Sequence, residues 1–267
     1  MKFKFIPLIL TLACTSAFAG IASTKHNLST SGTGSNHLTT GTDQICVFCH
    51  TPHGSDTSAP VPLWNRVLPN GGSFTTYASL NSSSIDGQIL AVGSVSLACL
   101  SCHDGTQAMD VMLNKPGSGG YNSAGSADAS NVWAGSATMT GVANLGTDMK
   151  NDHPIGIEYC GGGLTFTGAG AVQGSCNDSD FVGPSAAGVV GAQVNGLNIM
   201  YINRNGNVGR QKDDIPLFTR SFTNGATGSV ECASCHDPHV ASKGSDNINF
   251  MRVTTAGSQI CLACHVK

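Results

Sequence analysis

Residues 46–50 read CVFCH, and the same CxxCH pattern returns at residues 99–103 (CLSCH), 232–236 (CASCH) and 261–265 (CLACH). The two thiols of such a motif can reach the two vinyl groups of one porphyrin, and the histidine that follows is held under the iron. Each motif therefore predicts one covalently bound haem c, four in all. The attaching thiols are Cys46, Cys49, Cys99, Cys102, Cys232, Cys235, Cys261 and Cys264, and the proximal iron ligands are His50, His103, His236 and His265.

The four motifs form an internal repeat of two pairs. The first and third motifs continue as CxxCHxPH, ending at His53 and His239, whereas the second and fourth lack this additional histidine. We therefore interpret the chain as one haem pair over residues 46–103, an insert rich in Gly and Ser over residues 104–231 and a second haem pair over residues 232–265.

Five histidines remain after the proximal ligands: His26, His37, His53, His153 and His239. Four irons with two axial ligands each need four of them, so the sequence predicts bis-histidine ligation throughout. His53 and His239 emerge on the same side of the haem as their own proximal histidine, so each can reach only a neighbouring haem. The proline between the two histidines stiffens that turn. The alternative is a solvent-facing histidine in a proline turn.

The other two distal ligands come from His26, His37 and His153. His153 follows Asp152, whose carboxylate could accept a proton from the ring nitrogen that does not bind iron. His26 and His37 both lie on the N-terminal arm, and choosing His26 gives each haem pair one upstream histidine and one CxxCHxPH histidine. We therefore take His26, His53, His153 and His239 as distal ligands and His37 as the surplus histidine.

The first 19 residues have the features of a secretory signal peptide. A basic start with Lys2 and Lys4 precedes an apolar run, and Ala17-Phe18-Ala19 supplies the small residues of a cleavage site before Gly20. The alternative is a lipoprotein acylated at Cys14. We expect export, to the outer cell surface or the extracellular medium or else to the periplasm, and no membrane-spanning segment.

Two cysteines remain once Cys14 and the haem thiols are set aside, namely Cys160 and Cys176. Disulfides persist in an oxidising compartment, so we expect these two thiols to form a disulfide bond. The alternative is a pair of free thiols.

Charge is sparse along the chain, because only 11% of the residues are Asp, Glu, Lys or Arg. The leader contains two of the 13 basic residues, which leaves 11 against 16 acidic residues and a net charge of −5. No basic stripe is present to meet phosphates, so nucleic-acid binding is not expected. A surface with few charges is weakly protected against self-association, which favours assembly with other copies.

Regular secondary structure looks sparse in the sequence. Residues 30–42, 116–136 and 161–174 are rich in small and polar residues and show no sustained helical period. We expect a coil-rich multihaem cytochrome c whose core is four stacked haems, in a single domain over residues 20–267. Short helices are expected around the motifs and near residues 84–90, with minor β-structure, a strand or two, within residues 187–202.

The chain resembles known multihaem cytochromes in two regions. Residues 232–265, with CHDPH, the tripeptide FMR and the closing CLACH, are similar to the doubled-CxxCH module of these proteins. Residues 26–66, from HNLS through ICVFCHTPH to PLWNR, resemble exported multihaem cytochromes of metal-reducing bacteria. With four haem motifs and this length, the chain is most similar to tetrahaem cytochromes that polymerise into extracellular conductive filaments (nanowires). The resemblance covers both haem pairs and the segment around His153.

The resemblance implies a coil-rich fold, bis-histidine haems stacked in a continuous chain and a distal ligand donated between subunits. It implies electron transfer rather than enzymatic catalysis, with minerals, electrodes, partner cells or other redox proteins receiving the electrons. A homopolymer is the implied assembly.

Three other functions fit some of the same features. A monomeric periplasmic tetrahaem shuttle would have the same haems and ligands. A multihaem reductase of a small oxyanion needs an iron with an open axial position, whereas every motif here ends in histidine and enough distal histidines are present. A set of zinc sites would use the CxxC pairs but would not explain the histidine that follows each pair.

Overall fold

The computed structural model describes residues 20–117, 119–240 and 250–266. The expected signal peptide, with Cys14, lies outside these residues. Within the described ranges, no helix is long and apolar enough to cross a membrane.

Helical structure is short, and the three α-helices of the described residues all overlap CxxCH motifs. The α-helices are α1 (Ser94–His103), α2 (Cys232–Cys235) and α3 (Gln259–Leu262). Turns of 3₁₀-helix span Gly20–Ser23, Cys46–Phe48, Gly71–Ser73, Tyr77–Leu80, Gly141–Ala143, Met149–Asn151, Tyr159–Gly161 and Ala256–Ser258. The expectation of helices around the motifs is confirmed. The expectation of a helix near residues 84–90 is wrong, because Ile89 there pairs with Ile157 in a β-bridge.

The β-structure comprises one five-stranded sheet and three two-stranded sheets among the described residues. The strands are β1 (Leu38–Thr40), β2 (Met112–Asn114), β3 (Tyr121–Ser126), β4 (Val132–Trp133), β5 (Ile157–Glu158), β6 (Leu164–Phe166), β7 (Val172–Gly174), β8 (Val189–Val194), β9 (Leu197–Ile202), β10 (Ile215–Phe222) and β11 (Gly225–Val230). The five-stranded sheet is antiparallel in the order β5-β11-β10-β9-β8. The small sheets pair β1 with β4, β2 with β3 and β6 with β7.

Two tight turns build the large sheet. Val194 and Leu197 face each other across Asn195-Gly196, and both turn residues have positive φ. This combination belongs to a type I′ turn, whose twist matches the twist of the two strands. A second two-residue turn joins Phe222 to its partner Gly225 between β10 and β11. The two strands expected within residues 187–202 are therefore confirmed as a hairpin.

The expectation of a coil-rich fold with minor β-structure is wrong. Of the described residues, 25% are extended in strands and 19% are helical. All five strands of the large sheet lie in the insert, where only a strand or two within residues 187–202 is expected from the sequence. The physical reason is that antiparallel strands need only two-residue turns and one buried face. Apolar side chains such as Met200, Ile215 and Leu217 provide that face.

Side chains also form apolar cores of their own. The largest core lies under the sheet and includes Tyr159, Leu164, Met200, Ile215 and Leu217. A second core surrounds Phe48 and also packs against the thiols of the first two CxxCH motifs, Cys49 and Cys102. The large sheet leads directly into the third motif, because β11 ends at Val230 and α2 begins at Cys232.

Candidate functional site

Each CxxCH motif is wound into a helical turn. The backbone N–H of the motif histidine donates to the carbonyl of the first cysteine at His50 (2.8 Å), His236 (3.1 Å) and His265 (2.9 Å). The second motif forms the last turn of α1, which ends at His103. One helical turn brings residues four apart onto the same side, so the first thiol and the histidine of each motif can approach one porphyrin together.

The imidazole rings of His50 and His239 face each other. Their centroids are 6.1 Å apart and their planes are 18° apart. Nδ1 of His50 donates to the carbonyl of Pro62 at 2.7 Å, and Nδ1 of His239 lies 3.3 Å from the Asp237 carboxylate. With Nδ1 occupied on both rings, the Nε2 atoms are the nitrogens left for a metal.

His26 and His103 form a second imidazole pair, with centroids 6.2 Å apart and planes at 72°. Nδ1 of His103 lies 2.7 Å from the carbonyl of Ala143, and the ring of His26 is hydrogen-bonded to the backbone of Pro238. Phe250 stacks on His26 at a centroid distance of 4.1 Å. Burial, reinforced by the nearby His103, lowers the pKa of His26 to about 4. The His26 ring is therefore neutral at neutral pH, as a metal-binding imidazole must be.

Both pairs have the spacing that a shared iron requires. Two imidazole–metal bonds of about 2 Å, each with about 1.1 Å from nitrogen to ring centroid, separate the centroids by about 6.2 Å. The observed separations of 6.1 Å and 6.2 Å agree with this value. The first and second motifs thus each have a second histidine at the right distance to hold a haem iron.

The two CxxCHxPH segments have the same backbone arrangement. His50 is bridged to Trp64, and His236 is bridged to Met251. The residues before these partners, Leu63 and Phe250, both have positive φ, which is uncommon for side chains of this size. The matching hydrogen bonds run from Thr51 N–H to the Leu63 carbonyl (2.8 Å), from Asp237 N–H to Phe250 (2.7 Å), from Asn65 N–H to Cys49 (2.9 Å) and from Arg252 N–H to Cys235 (2.8 Å). The sequence repeat is therefore also a structural repeat.

A protein family matches the part of the chain that contains the third and fourth motifs. Residues 224–267 match the family described as the doubled CXXCH motif. This match supports a multihaem c-type cytochrome module over these residues. No curated protein matches the chain. Modules of this family bind haem covalently and belong to electron-transfer proteins.

The thiols of this module and of the first haem pair lie close to one another. Cys99 and Cys232 are hydrogen-bonded through their side chains, which joins the second motif to the third. Burial raises the pKa of Cys49 to about 12, of Cys235 to about 11 and of Cys264 to about 12. Thiols with raised pKa values stay protonated at neutral pH, unlike catalytic or metal-binding thiolates. Among the described residues, no group of three or more His, Cys, Asp or Glu side chains is arranged to hold a metal ion.

The other expected site residues lie in different parts of the fold. His53 and His153 are exposed, and Nδ1 of His153 lies 3.0 Å from the carbonyl of Pro154. Nδ1 of His37 lies 2.7 Å from the carbonyl of Gly34. The ring of His265 packs 4.3 Å from Phe181. Cys160 and Cys176 form the expected disulfide, with their Cα atoms 5.3 Å apart.

Sequence reasoning missed Arg66, which is fully buried between the first two motifs. Its guanidinium donates to five uncharged acceptors, which are the Ser101 hydroxyl (3.1 Å) and carbonyl (2.8 Å), the carbonyls of Met109 (2.7 Å) and Ala108 (3.0 Å), and the Gln107 side chain (3.0 Å). Arg66 therefore fixes the segment after the second motif against the segment after the first.

A second missed residue is Glu231, which is buried immediately before the third motif. Its carboxylate accepts hydrogen bonds from Ser96 of α1 (2.5 Å), Ser229 (3.0 Å) and Arg220 (3.3 Å). Ser96 in turn accepts from the backbone N–H of Cys232 at 3.1 Å. This network holds the helix of the second motif against the start of the third. No signal in the sequence indicates it, because the partners come from distant parts of the chain.

Proposed function

We propose that the chain transfers electrons through four c-type haems, each with its iron held between two histidines. The observation that carries this proposal is the pair of imidazole contacts, His50 with His239 and His26 with His103, at separations of 6.1 Å and 6.2 Å. The family match of residues 224–267 supports it independently.

The proposed ligand sets follow from these contacts. The haem on Cys46 and Cys49 takes His50 and His239, and the haem on Cys99 and Cys102 takes His103 and His26. The haems of the third and fourth motifs then take His236 and His265 as proximal ligands, with His53 and His153 as distal ligands. The structural repeat supports the use of His53, because this residue occupies the position that His239 has in the second pair.

An iron with both axial positions filled by histidine has no site for a substrate, which favours electron transfer over reduction of an oxyanion. Bound haem would supply the one-electron chemistry, and the protein would adjust the reduction potential through ligands, burial and hydrogen bonds.

Mass spectrometry of the purified protein is expected to give four haems per chain. Electron paramagnetic resonance is expected to show only low-spin ferric iron. Fewer haems, or a high-spin iron that binds carbon monoxide, would contradict the proposal.

We further propose that copies of the chain assemble outside the cell into a filament that exports electrons. The sparse charge, the exposed His53 and His153, and exposed apolar side chains such as Leu197 and Val208 support assembly. His26 has an imidazole partner in its own chain, so a ligand given to another copy would come from His53 or His153. Negative-stain microscopy of the secreted protein tests this. Filaments are expected, and discrete particles would instead support a periplasmic shuttle.

A further inference from the structure

The side chain of Asp237 lies directly behind the imidazole of His239. Oδ1 of Asp237 is 3.3 Å from Nδ1 of His239 and also accepts the backbone N–H of His239 at 3.1 Å. Because the carboxylate contacts Nδ1, it can orient His239 without occupying Nε2.

A buried arginine fixes the other oxygen of this carboxylate. Nη1 of Arg252 lies 3.2 Å from Oδ2 of Asp237 and 3.3 Å from the carbonyl of Lys212, and Nε of Arg252 donates to Ala233 at 3.0 Å. An aspartate carboxyl is ordinarily ionised at neutral pH. The negative charge of Asp237 is balanced by the guanidinium of Arg252.

We propose that Asp237 lowers the reduction potential of the haem attached at Cys46 and Cys49 by making His239 a stronger electron donor. A carboxylate that accepts the Nδ1 proton raises the basicity of the imidazole, and a more basic axial ligand favours ferric over ferrous iron. The inference rests on the proposed ligation of this iron by His50 and His239. Asp237 acts through His239: it positions the imidazole and raises the basicity of the ring.

The other CxxCHxPH segment lacks this device. Thr51 occupies the position of Asp237, and its hydroxyl donates to the backbone carbonyl of His53 at 3.0 Å. The residue two positions before His53 is therefore a neutral threonine, whereas the residue two positions before His239 is a carboxylate. The two histidines would donate electron density to iron unequally, and the haems that they ligate would have different reduction potentials.

The test is a spectroelectrochemical titration of the holoprotein. In Asp237→Asn, one of the four potentials is expected to rise by about 59 mV, which is a tenfold change in the ratio of reduced to oxidised haem at a fixed potential. Asp237→Glu keeps the charge and is expected to return that potential towards the wild-type value. Asp237→Thr copies the first motif, which guards against misfolding, and is expected to raise the same potential. Asp128→Asn removes an exposed carboxylate bonded to Ser130 and serves as the matched control, with no change in any potential.

Two further variants separate the possible outcomes. His239→Met raises the potential of the iron that His239 ligates and so identifies its wave. If no wave moves in His239→Met, the proposed ligation is wrong. If the wave moves in His239→Met but keeps its wild-type potential in both Asp237→Asn and Asp237→Thr, the ligation stands and the role of Asp237 is refuted. The double variant Asp237→Asn, Arg252→Gln removes both charges. If the potential of the double variant is still raised, the lost hydrogen bond to His239 is the cause. If the potential returns to the wild-type value, the unpaired charge of Arg252 caused the rise in Asp237→Asn and the proposal is overturned.

Discussion

The imidazoles of His50 and His239 lie nearly parallel with their centroids 6.1 Å apart, although one belongs to the first motif and the other follows the third. In the proposed ligand set this contact would join the two haem pairs, because His239 is three residues from His236 of the third motif. A link of this kind would keep two porphyrins close, which electron transfer requires.

Replacing His239 should open the iron of the first motif. In His239→Ala, we expect one of the four haems to become high-spin and to bind carbon monoxide, because its sixth ligand is missing. His37→Ala is the matched control, since His37 is the surplus histidine, and all its haems should stay low-spin. Absorption and electron paramagnetic resonance spectra measure both variants. A His239→Ala protein with four low-spin haems would contradict the ligand set.

Removing Arg66 should destabilise the first haem pair. Arg66→Met leaves several buried carbonyls without a donor, at a cost of about 1–3 kcal/mol each, so we expect the free energy of unfolding to fall by roughly 3 kcal/mol or more. Arg204, which pairs with Asp213 near the surface at 3.7 Å, provides the control. Arg204→Met should lower the free energy of unfolding by less than about 1 kcal/mol. Denaturant titrations compare the two, and equal losses would refute the role given to Arg66.

Glu231 should make stability depend on pH. Burial raises the pKa of its carboxyl in the folded protein above the ordinary value of 4.5. The folded state therefore holds the proton more tightly than the unfolded state, so this contribution to stability is complete below pH 4.5 and is lost as the pH rises through the raised pKa. Glu231→Gln cannot titrate and should flatten this decline. Denaturant midpoints measured across this range test it, and an unchanged pH profile would be the contrary result.

The disulfide should stabilise the insert. Cys160 and Cys176 enclose a 15-residue loop, and closing a loop of this length contributes about 3 kcal/mol in the chain-entropy model. The double variant Cys160→Ser, Cys176→Ser should lose about this much in the free energy of unfolding while keeping all its haems. A double variant as stable as the wild type would show that the bond is not needed for stability.

The motif geometry and one hairpin could be predicted from the sequence, but the rest of the large sheet could not. The turn within each CxxCH motif depends on five adjacent residues, so the sequence predicts it. Asn195-Gly196 is a strong hairpin signal that could have located β8 and β9 more sharply. The pairing of β5 with β11, through Ile157 and Val230, joins distant segments and leaves no local pattern.

The distal histidines show the same limit. The spacing in CxxCHxPH excludes His239 from its own haem, but it does not indicate which other haem His239 meets. That partner depends on where the first motif packs against the third. Asp237 and Arg252 were missed as a pair for the same reason, because the backbone bonds of the repeat bring them together only in the fold.

The central claim is that each haem iron of the first pair lies between two histidines of one chain. A cryo-electron microscopy map of the purified holoprotein tests it most directly, because it reports ligands, haem order and assembly together. The account predicts one iron between His50 and His239 and another between His103 and His26. A map in which His239 or His26 points away from these irons would contradict it.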